Sequence, residues 1–229
     1  MGTDSTQPRF NRFSVTTSFP ESIDRLREMA YNLWWSWNPD IKELFSRIDP
    51  HVWEDVSGNP VEMFERIDQK RMEEIARDDS YLALYKEVTE WMDARKMDSY
   101  TIGEKGAAIS KERPIAYFST EYAIDGSLPI YSGGLGVLSG DHLKSASDLS
   151  IPLVAVGLLY KNGFFVQRLN SKGVQEAHYP DNDFSLMPIR LCENGSGDPL
   201  KIHVNLPGRR LYAQIWKVNV GKVPLYLLD

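Results

Sequence analysis

Cysteine is almost absent from this sequence, since Cys192 is the single one among 229 residues. One cysteine cannot form an internal disulfide, and such usage is typical of a reducing compartment. Long apolar runs are missing too. The longest ones, such as IPLVAVGLLY, have about half of the roughly 20 residues that a membrane-spanning helix needs. The N-terminus lacks the basic segment, apolar core and small-residue cleavage site of a secretory signal. We therefore predict a cytoplasmic protein with no membrane span.

The chain also lacks an excess of basic residues. A net charge of -6 disfavours a general nucleic-acid binder, and 42% hydrophobic residues are ordinary for a globular protein. Acidic residues outnumber basic ones by 22 to 15 in residues 1–112, whereas residues 113–229 hold 10 acidic and 11 basic residues. This shift predicts an N-terminal tail over 1–17, a helical extension over 18–112 and a second domain over 113–229. The segment GEKGAAISKERP, around Lys111, would be the linker between the last two.

Helix-start signals recur in residues 18–112. Ser18 and Glu21 have the spacing of a capping box, which predicts one helix from there to Asn38-Pro39, because the residue before a proline leaves the helical region. Asp49-Pro50 and Asn59-Pro60 each combine an N-cap residue with a first-turn proline. Apolar residues at helical spacing are Ile23, Leu26, Ala30, Leu33, Trp34 and Trp37 in the first helix, Ile41, Leu44, Phe45 and Ile48 in the second, Val61, Phe64 and Ile67 after Asn59-Pro60, and Tyr81, Leu84, Tyr85, Val88, Trp91 and Met92 in the last.

Three tryptophans lie close together at positions 34, 35 and 37. One interpretation is a platform for sugar rings, because the apolar faces of pyranoses stack on indoles; the other is that they fill the core. Helical spacing places Trp34 and Trp37 on the apolar stripe, which favours the core for both. Trp35 lies off that stripe, and we predict that it is the exposed contact residue.

The spacing of apolar residues changes in the second part. Residues 113–119 form a continuous apolar run that predicts a buried strand, residues 135–149 predict a helix, and residues 153–160 predict a second buried strand. Strand, helix and strand make a βαβ unit with parallel pairing. Further strands are predicted at 164–169, 200–204, 211–218 and 223–228, with turns between them. The predicted apolar face of the helix comprises Leu135, Leu138, His142, Leu143, Ala146 and Leu149. The predicted fold class is α/β, with a sheet that is only partly parallel.

The stretch YSGGLG, residues 131–136, joins the first of these strands to the helix. Glycine lets a ligand come close to the backbone, and a helix N-terminus offers free N–H groups to an anion such as phosphate. The spacing matches neither the dinucleotide fingerprint nor the phosphate loop of nucleotide hydrolases. A tight turn with close packing of helix on strand explains the same glycines, and the spacing alone does not choose between the two.

Other possible sites are weak. His142 lies beside Asp141 and Lys144, but it shares the predicted apolar stripe, so we predict a partly buried histidine rather than a proton-transfer group. His178, placed in a loop near two aspartates, lacks convergent ligands, and His51 and His203 have no partners at ligand spacing. No metal site is predicted, and no GxSxG nucleophile motif occurs.

The stretch IAYFSTEYAIDGSLPIYSGGLGVLSGDHLKSASDLSIPLVAVGLLYKNGFFVQRL closely resembles the N-terminal region of bacterial and archaeal α-glucan phosphorylases. The segment NLWWSWNPDIKELFSRIDPHVWEDVSGNPVEMFERI resembles the helical extension of that subfamily, and KVPLYLLD resembles a strand of the same catalytic domain. The resemblance implies an incomplete Rossmann-like lobe of a two-lobed GT-B glycosyltransferase. The implied reaction is reversible phosphorolysis of an α-1,4-glucan to glucose 1-phosphate with pyridoxal phosphate.

In this family the glycine loop contacts the phosphate and glucosyl groups, which the resemblance carries over to Gly133, Gly134, Leu135 and Gly136. Glu121 matches a family position near the cleft, although a solvated or structurally paired carboxylate is the alternative there. The family's cofactor lysine belongs to its C-terminal domain, so the catalytic residues stay unassigned in this chain. We expect the 229-residue polypeptide alone to have no phosphorylase activity and no bound cofactor. A homo-oligomer is compatible with the family.

Two other functions are alternatives to phosphorolysis. Glycogen and starch synthases share the two-lobed architecture and a similar glycine loop, but they typically have a lysine two residues before the paired glycines and an aspartate after the loop. Tyr131 and Val137 stand at those positions here, which favours phosphorylase. The second alternative is a non-catalytic glucan-binding fragment, for which Trp35 would be the contact.

Overall fold

A computed structural model describes residues 17–97, 109–110 and 112–229. Most of the predicted linker and nearly all of the predicted tail lie outside these residues. Helices come first and a mixed sheet follows, so the predicted α/β class is confirmed. Among the described residues, no helix combines the length and the apolar composition of a membrane span.

Seven α-helices are described. They are α1 (Leu26–Ala30), α2 (Pro39–Ser46), α3 (Pro50–Asp55), α4 (Pro60–Arg66), α5 (Gln69–Ile75), α6 (Asp79–Met97) and α7 (Gly134–Asp148). Asp49-Pro50 and Asn59-Pro60 begin α3 and α4 as predicted, whereas Asn38-Pro39, predicted only to end a helix, also begins α2. The side chains of Asn38, Asp49 and Asn59 each accept hydrogen bonds from two backbone N–H groups of the helix that follows. Sequence reasoning missed α5, whose N-cap Asp68 makes no side-chain cap.

The single helix predicted from Ser18 to Asn38 is wrong. The segment divides into a 3₁₀ turn at Glu21–Ile23, the short α1, and a second 3₁₀ turn at Leu33–Ser36. Pro20, not Ser18, precedes the first turn, and no side chain caps it. The break comes at Asn32, because its backbone is extended and its side chain accepts a hydrogen bond from the N–H of Trp34. Asparagine competes for backbone hydrogen bonds in this way and starts a new turn.

The break changes where the tryptophans point. Trp35, predicted to be exposed, is 1% exposed, packs edge-on against Phe45 and donates its indole N–H to the carbonyl oxygen of Ala30 at 3.2 Å. Trp34 is buried as predicted, whereas Trp37 is only half-buried. The helical spacing failed because a 3₁₀ turn has three residues per turn, which rotates successive side chains differently from an α-helix.

The strands are β1 (Ile115–Phe118), β2 (Leu153–Leu158), β3 (Val166–Leu169), β4 (Gln175–His178), β5 (Arg190–Leu191), β6 (Lys201–Leu206), β7 (Arg209–Val220) and β8 (Val223–Leu228). The main sheet has the order β1-β2-β8-β7-β5, with β6 also paired to β7. The pairs β1–β2 and β2–β8 are parallel, and β8–β7, β7–β5 and β7–β6 are antiparallel. The predicted parallel βαβ unit is therefore confirmed, while β4 and β5 were not predicted.

The first predicted strand is less buried than its composition suggests. Along β1 only Tyr117 is half-buried, and the other residues are exposed, because β1 forms an edge of the sheet. In contrast, β8 and all of β2 except the exposed Leu158 alternate between buried and half-buried residues. The edge position explains the error, because a continuous apolar run does not tell how many neighbours cover a strand.

The helical part and the sheet share one cluster of buried residues. Asn32 exchanges two hydrogen bonds with Gly221, donating to its carbonyl oxygen at 3.2 Å and accepting from its N–H at 3.0 Å. Asn59 donates to the carbonyl oxygen of Leu186 at 2.8 Å. These two asparagines therefore connect the segments that we predicted as separate domains.

Candidate functional site

The glycine loop lies at the carboxyl ends of the parallel strands. A cleft of about 470 Å³ there is lined by Phe118 of β1, Leu158 of β2, Leu228 of β8 and Leu135 in the first turn of α7. Ligands of open α/β sheets bind at this edge, because the loops after the strands diverge there. The fold thus brings the predicted loop to the expected edge of the sheet.

The first two glycines of the loop face open space. Gly133 is the N-cap of α7, and no side chain caps that helix. A methyl group added to Gly133 or Gly134 would meet nothing within 4 Å. The first turn of α7 contains no acidic residue. The helix N-terminus, with its partial positive charge, is therefore left free to receive an anion.

The next two glycines of α7 have a different role. A methyl group on Gly136 would lie 2.5 Å from the Cβ of Tyr131, and one on Gly140 would lie 2.0 Å from the carbonyl oxygen of Ala123. Gly136 also accepts a 2.8 Å hydrogen bond from the N–H of Ala123. Close packing, the alternative explanation for the glycines, therefore applies to this pair and not to Gly133 and Gly134.

Glu121 lies beside the loop. One of its carboxylate oxygens accepts a hydrogen bond from the hydroxyl of Ser132 at 3.0 Å, and the other accepts from the N–H of Ser132 at 3.4 Å. Its own carbonyl oxygen accepts a bond from Ser119 Oγ at 3.0 Å. The carboxylate is half-buried and holds the residue just before the N-cap of α7. The Glu121 carboxylate is thus paired with Ser132, and this pairing places it beside the glycine loop.

A hydroxyl network lies behind the loop. Ser139 Oγ lies 3.0 Å from Ser119 Oγ and 3.2 Å from the Tyr117 hydroxyl. Tyr122 is fully buried and donates to the carbonyl oxygens of Tyr117 and Val156, at 3.1 Å and 2.9 Å. Burial raises the pKa of Tyr122 to about 12, so this phenol stays neutral at physiological pH. The network fixes the strand β1 and the chain that follows it relative to α7.

A second cleft, of about 250 Å³, lies beside Glu121. It is lined by Glu121, Tyr131, Ser132, Asn162 and Phe164, among others. Sequence reasoning did not select Ser132, Asn162 or Phe164. Ser132 directly precedes the paired glycines, which was the available signal; the other two come from a distant loop, which only the fold brings near.

The predicted apolar face of α7 is wrong. Leu135 and Leu138 are 54% and 67% exposed, whereas Gly136, Ser139, Gly140 and Ser147 are buried. Small residues face the rest of the protein because the helix packs closely on the chain around Ala123. Only Leu143 and Ala146 of the predicted face are buried.

The histidine predictions also need correction. His142 is exposed rather than partly buried, and its ring lies 4.9 Å from that of Tyr117. His178 ends the strand β4 rather than lying in a loop, and its Nε2 is 3.8 Å from a carboxylate oxygen of Glu176. Within the part of the chain that the structure describes, no group of three or more His, Cys, Asp or Glu residues could hold a metal ion.

The amino-acid sequence is similar to one protein family of unknown function and to several phosphorylases. The family described as "Protein of unknown function (DUF3417)" matches residues 19–128. The chain is 41% identical, over 94% of its length, to a maltodextrin phosphorylase of Thermococcus litoralis. It is 40% identical over 95% of its length to a glycogen phosphorylase of Mycobacterium tuberculosis, and 39% identical over 89% to one of Aquifex aeolicus. The matched part is the N-terminal region of these relatives, and the chain spans only about a quarter of their length, 26% to 28%.

Proposed function

We propose that this chain, a homologue of the N-terminal region of α-glucan phosphorylases, forms one wall of a cleft for the reversible phosphorolysis of an α-1,4-glucan. In this proposal the chain from β1 onward is part of a Rossmann-like lobe of a GT-B glycosyltransferase. The substrates are the glucan and phosphate, and the product is glucose 1-phosphate. Residues 18–112 and 113–229 remain our proposed domains, in a cytoplasmic enzyme.

The open glycine pair at the N-terminus of α7 carries the proposal. Phosphorolysis transfers a glucosyl group to phosphate, so the cleft must hold an anion against the sugar while charge redistributes between them. The free N–H groups of the first turn of α7 and the helix dipole supply fixed positive ends for that anion. The missing side chains at Gly133 and Gly134 let the ligand reach the backbone. Leu135, exposed on the same turn, forms an apolar wall beside it.

Glu121 has a positioning role in this proposal. Its carboxylate holds Ser132, and therefore the start of the loop, from the protein side. Because a carboxylate oxygen can accept more than one hydrogen bond, the same group can also accept from a sugar hydroxyl in the second cleft, which it lines. Gly136 packs closely against both Tyr131 and Glu121, since a methyl group there would lie 2.5 Å and 3.3 Å from their Cβ atoms.

Pyridoxal phosphate does not fit this part of the protein as a covalently held group. Its aldehyde needs a lysine amine, and no lysine lines either of the two clefts beside the glycine loop. We therefore assign no residue of this chain to cofactor attachment. A cleft that stabilises developing charge needs donors on both walls, and in this proposal the chain supplies one wall, so we expect no release of glucose 1-phosphate by the purified 229-residue polypeptide incubated with glucan and phosphate. Turnover by that polypeptide would contradict this expectation.

A titration with phosphate tests the anion site. In ¹H–¹⁵N spectra of the 229-residue chain, we expect inorganic phosphate to shift the amide signals of Gly133, Gly134 and Leu135, and glucose 1-phosphate to shift that of Glu121 as well. Gly134→Ala is the matched variant: its methyl group enters open space, so the free energy of unfolding should stay within about 1 kcal/mol of wild type. The same methyl group should weaken phosphate binding at least tenfold. Unchanged binding by the folded variant would contradict the proposed site.

A further inference from the structure

A cleft of about 290 Å³ lies at the other end of α7, where the helical part meets the sheet. Its walls include Trp34, Trp37 and Trp91, with Asn38 and Asp148 between them. We call these five residues the tryptophan cleft. Gly134 and Asp148 are the first and last residues of α7, and at about 1.5 Å per residue the two sites lie roughly 20 Å apart. The glycine loop and the tryptophan cleft are thus separate sites.

Two of the three indoles keep accessible surface at the cleft, while Trp34 belongs to the buried core. Trp34 and Trp91 meet at 5.3 Å in an edge-on contact. Trp34 is buried, but Trp37 and Trp91 are only half-buried, so indole surface remains on the cleft. Large aromatic surfaces beside a cavity bind flat apolar faces of a ligand with little loss of side-chain freedom.

Polar groups lie between these apolar surfaces. The indole N–H of Trp37 donates to Asp148 Oδ1 at 3.3 Å, which leaves acceptor capacity on the carboxylate. The side-chain oxygen of Asn38 caps α2, so its NH₂ group is what it can offer to a ligand. Acceptors, donors and apolar faces together fit a polyhydroxylated ring.

Basic residues also belong to this region, and two of them, Arg95 and Lys222, line the cleft itself. Arg95 lies over the ring of Trp91 at 5.5 Å, and Lys144 over the ring of Trp37 at 5.8 Å. Lys222 donates to the hydroxyl of Ser150. The Asp148 carboxylate lines the same cleft, so the lining offers charged donors together with a charged acceptor, a mixed set that suits the hydroxyl groups of a saccharide ring.

We propose that the tryptophan cleft binds one glucosyl ring of a saccharide, as a second carbohydrate site remote from the glycine loop. A volume near the roughly 300 Å³ lower limit of ligand pockets suits a single ring rather than a turn of polymer. That the ring belongs to an α-1,4-glucan rests on the proposed function. Trp37, assigned to the core by helical spacing, and Trp91 take the role of exposed contact that we predicted for Trp35, while Trp34 stays in the core as predicted.

The indole N–H signals of the 229-residue chain test this site directly, because each of the six tryptophans gives one signal that a single Trp→Phe variant assigns. On titration with maltotriose, we expect the signals of Trp34, Trp37 and Trp91 to shift along one binding curve. Those of Trp35, Trp53 and Trp216, which do not line the cleft, should stay unchanged. Unchanged indole N–H signals at saturating maltotriose would overturn the inference. Equal shifts of these signals caused by phosphate alone would also overturn it.

Asp148→Asn supplies the matched variant. Loss of the charged acceptor should weaken maltotriose binding about tenfold. Asp141→Asn, an exposed change on the same helix, should leave binding unchanged. Equal affinity for both variants would contradict the site.

If maltotriose shifts only the signals around Glu121, the tryptophan cleft is refuted while the proposed function stands. If maltotriose shifts the indole signals but phosphate does not shift the amide signals of Gly133 and Gly134, the tryptophan cleft is supported and the phosphate site is refuted.

Discussion

A methyl group at residue 140 would lie 2.0 Å from the carbonyl oxygen of Ala123, and the contact is with backbone, which cannot rotate away. Gly140 therefore sets how closely α7 approaches the chain between β1 and the glycine loop. We predict that Gly140→Ala lowers the free energy of unfolding by about 3 kcal/mol, the upper range for overpacking. Urea unfolding followed by circular dichroism measures this.

The matched control is Gly126→Ala, whose added methyl group would meet nothing within 4 Å. It should change the stability by less than about 1 kcal/mol. If the two variants unfold at the same urea concentration, the close packing of α7 at Gly140 is not what the structure indicates. The sequence alone could not separate such packed glycines from the open pair at Gly133 and Gly134, because all of them precede or interrupt the same helix.

At the scale of elements, the helix starts at Asp49-Pro50 and Asn59-Pro60 were predicted because an N-cap is a local event, decided by one side chain and the next three residues. The same signal at Asn38-Pro39 marks the start of α2, although we predicted only a helix end there. The apolar face of α7 and the helix through the tryptophans were predicted wrongly. The first depends on close contact between small residues and the chain at Ala123, and the second on the competition of the Asn32 side chain for backbone hydrogen bonds. Neither the buried face of α7 nor the break at Asn32 can be predicted from the spacing of apolar residues along the sequence.

Asn59 differs from the other caps because it also connects two parts of the fold. Its Oδ1 caps α4, and its Nδ2 donates to the carbonyl oxygen of Leu186 at 2.8 Å. We predict that Asn59→Ala costs about 2 to 3 kcal/mol of stability, since both the cap and a largely buried bond are lost. Asp49→Ala, which removes a cap alone, should cost about 1 kcal/mol. Equal costs in urea unfolding would show that the bond to Leu186 does not contribute.

At the scale of the whole molecule, the edge of the sheet and the glycine loop were predictable because a βαβ unit brings its first loop to the carboxyl ends of the strands. The loop that carries Asn162 and Phe164 to Glu121 was not predictable, because it follows β2 and is positioned by tertiary contacts alone. The tryptophan cleft likewise joins α6, α7 and the turn after Asn32, which lie far apart along the chain.

The central claim is that this chain supplies a working wall of a phosphorolysis cleft. The direct test is a chimera in which it replaces the matching region of the Thermococcus litoralis maltodextrin phosphorylase, to which it is 41% identical. We predict that the folded chimera, supplied with maltodextrin and phosphate, releases glucose 1-phosphate within about tenfold of the parental rate, because the glycine loop and Glu121 are retained. A chimera that folds and binds the same amount of cofactor as the parent, yet releases no glucose 1-phosphate, would contradict the claim.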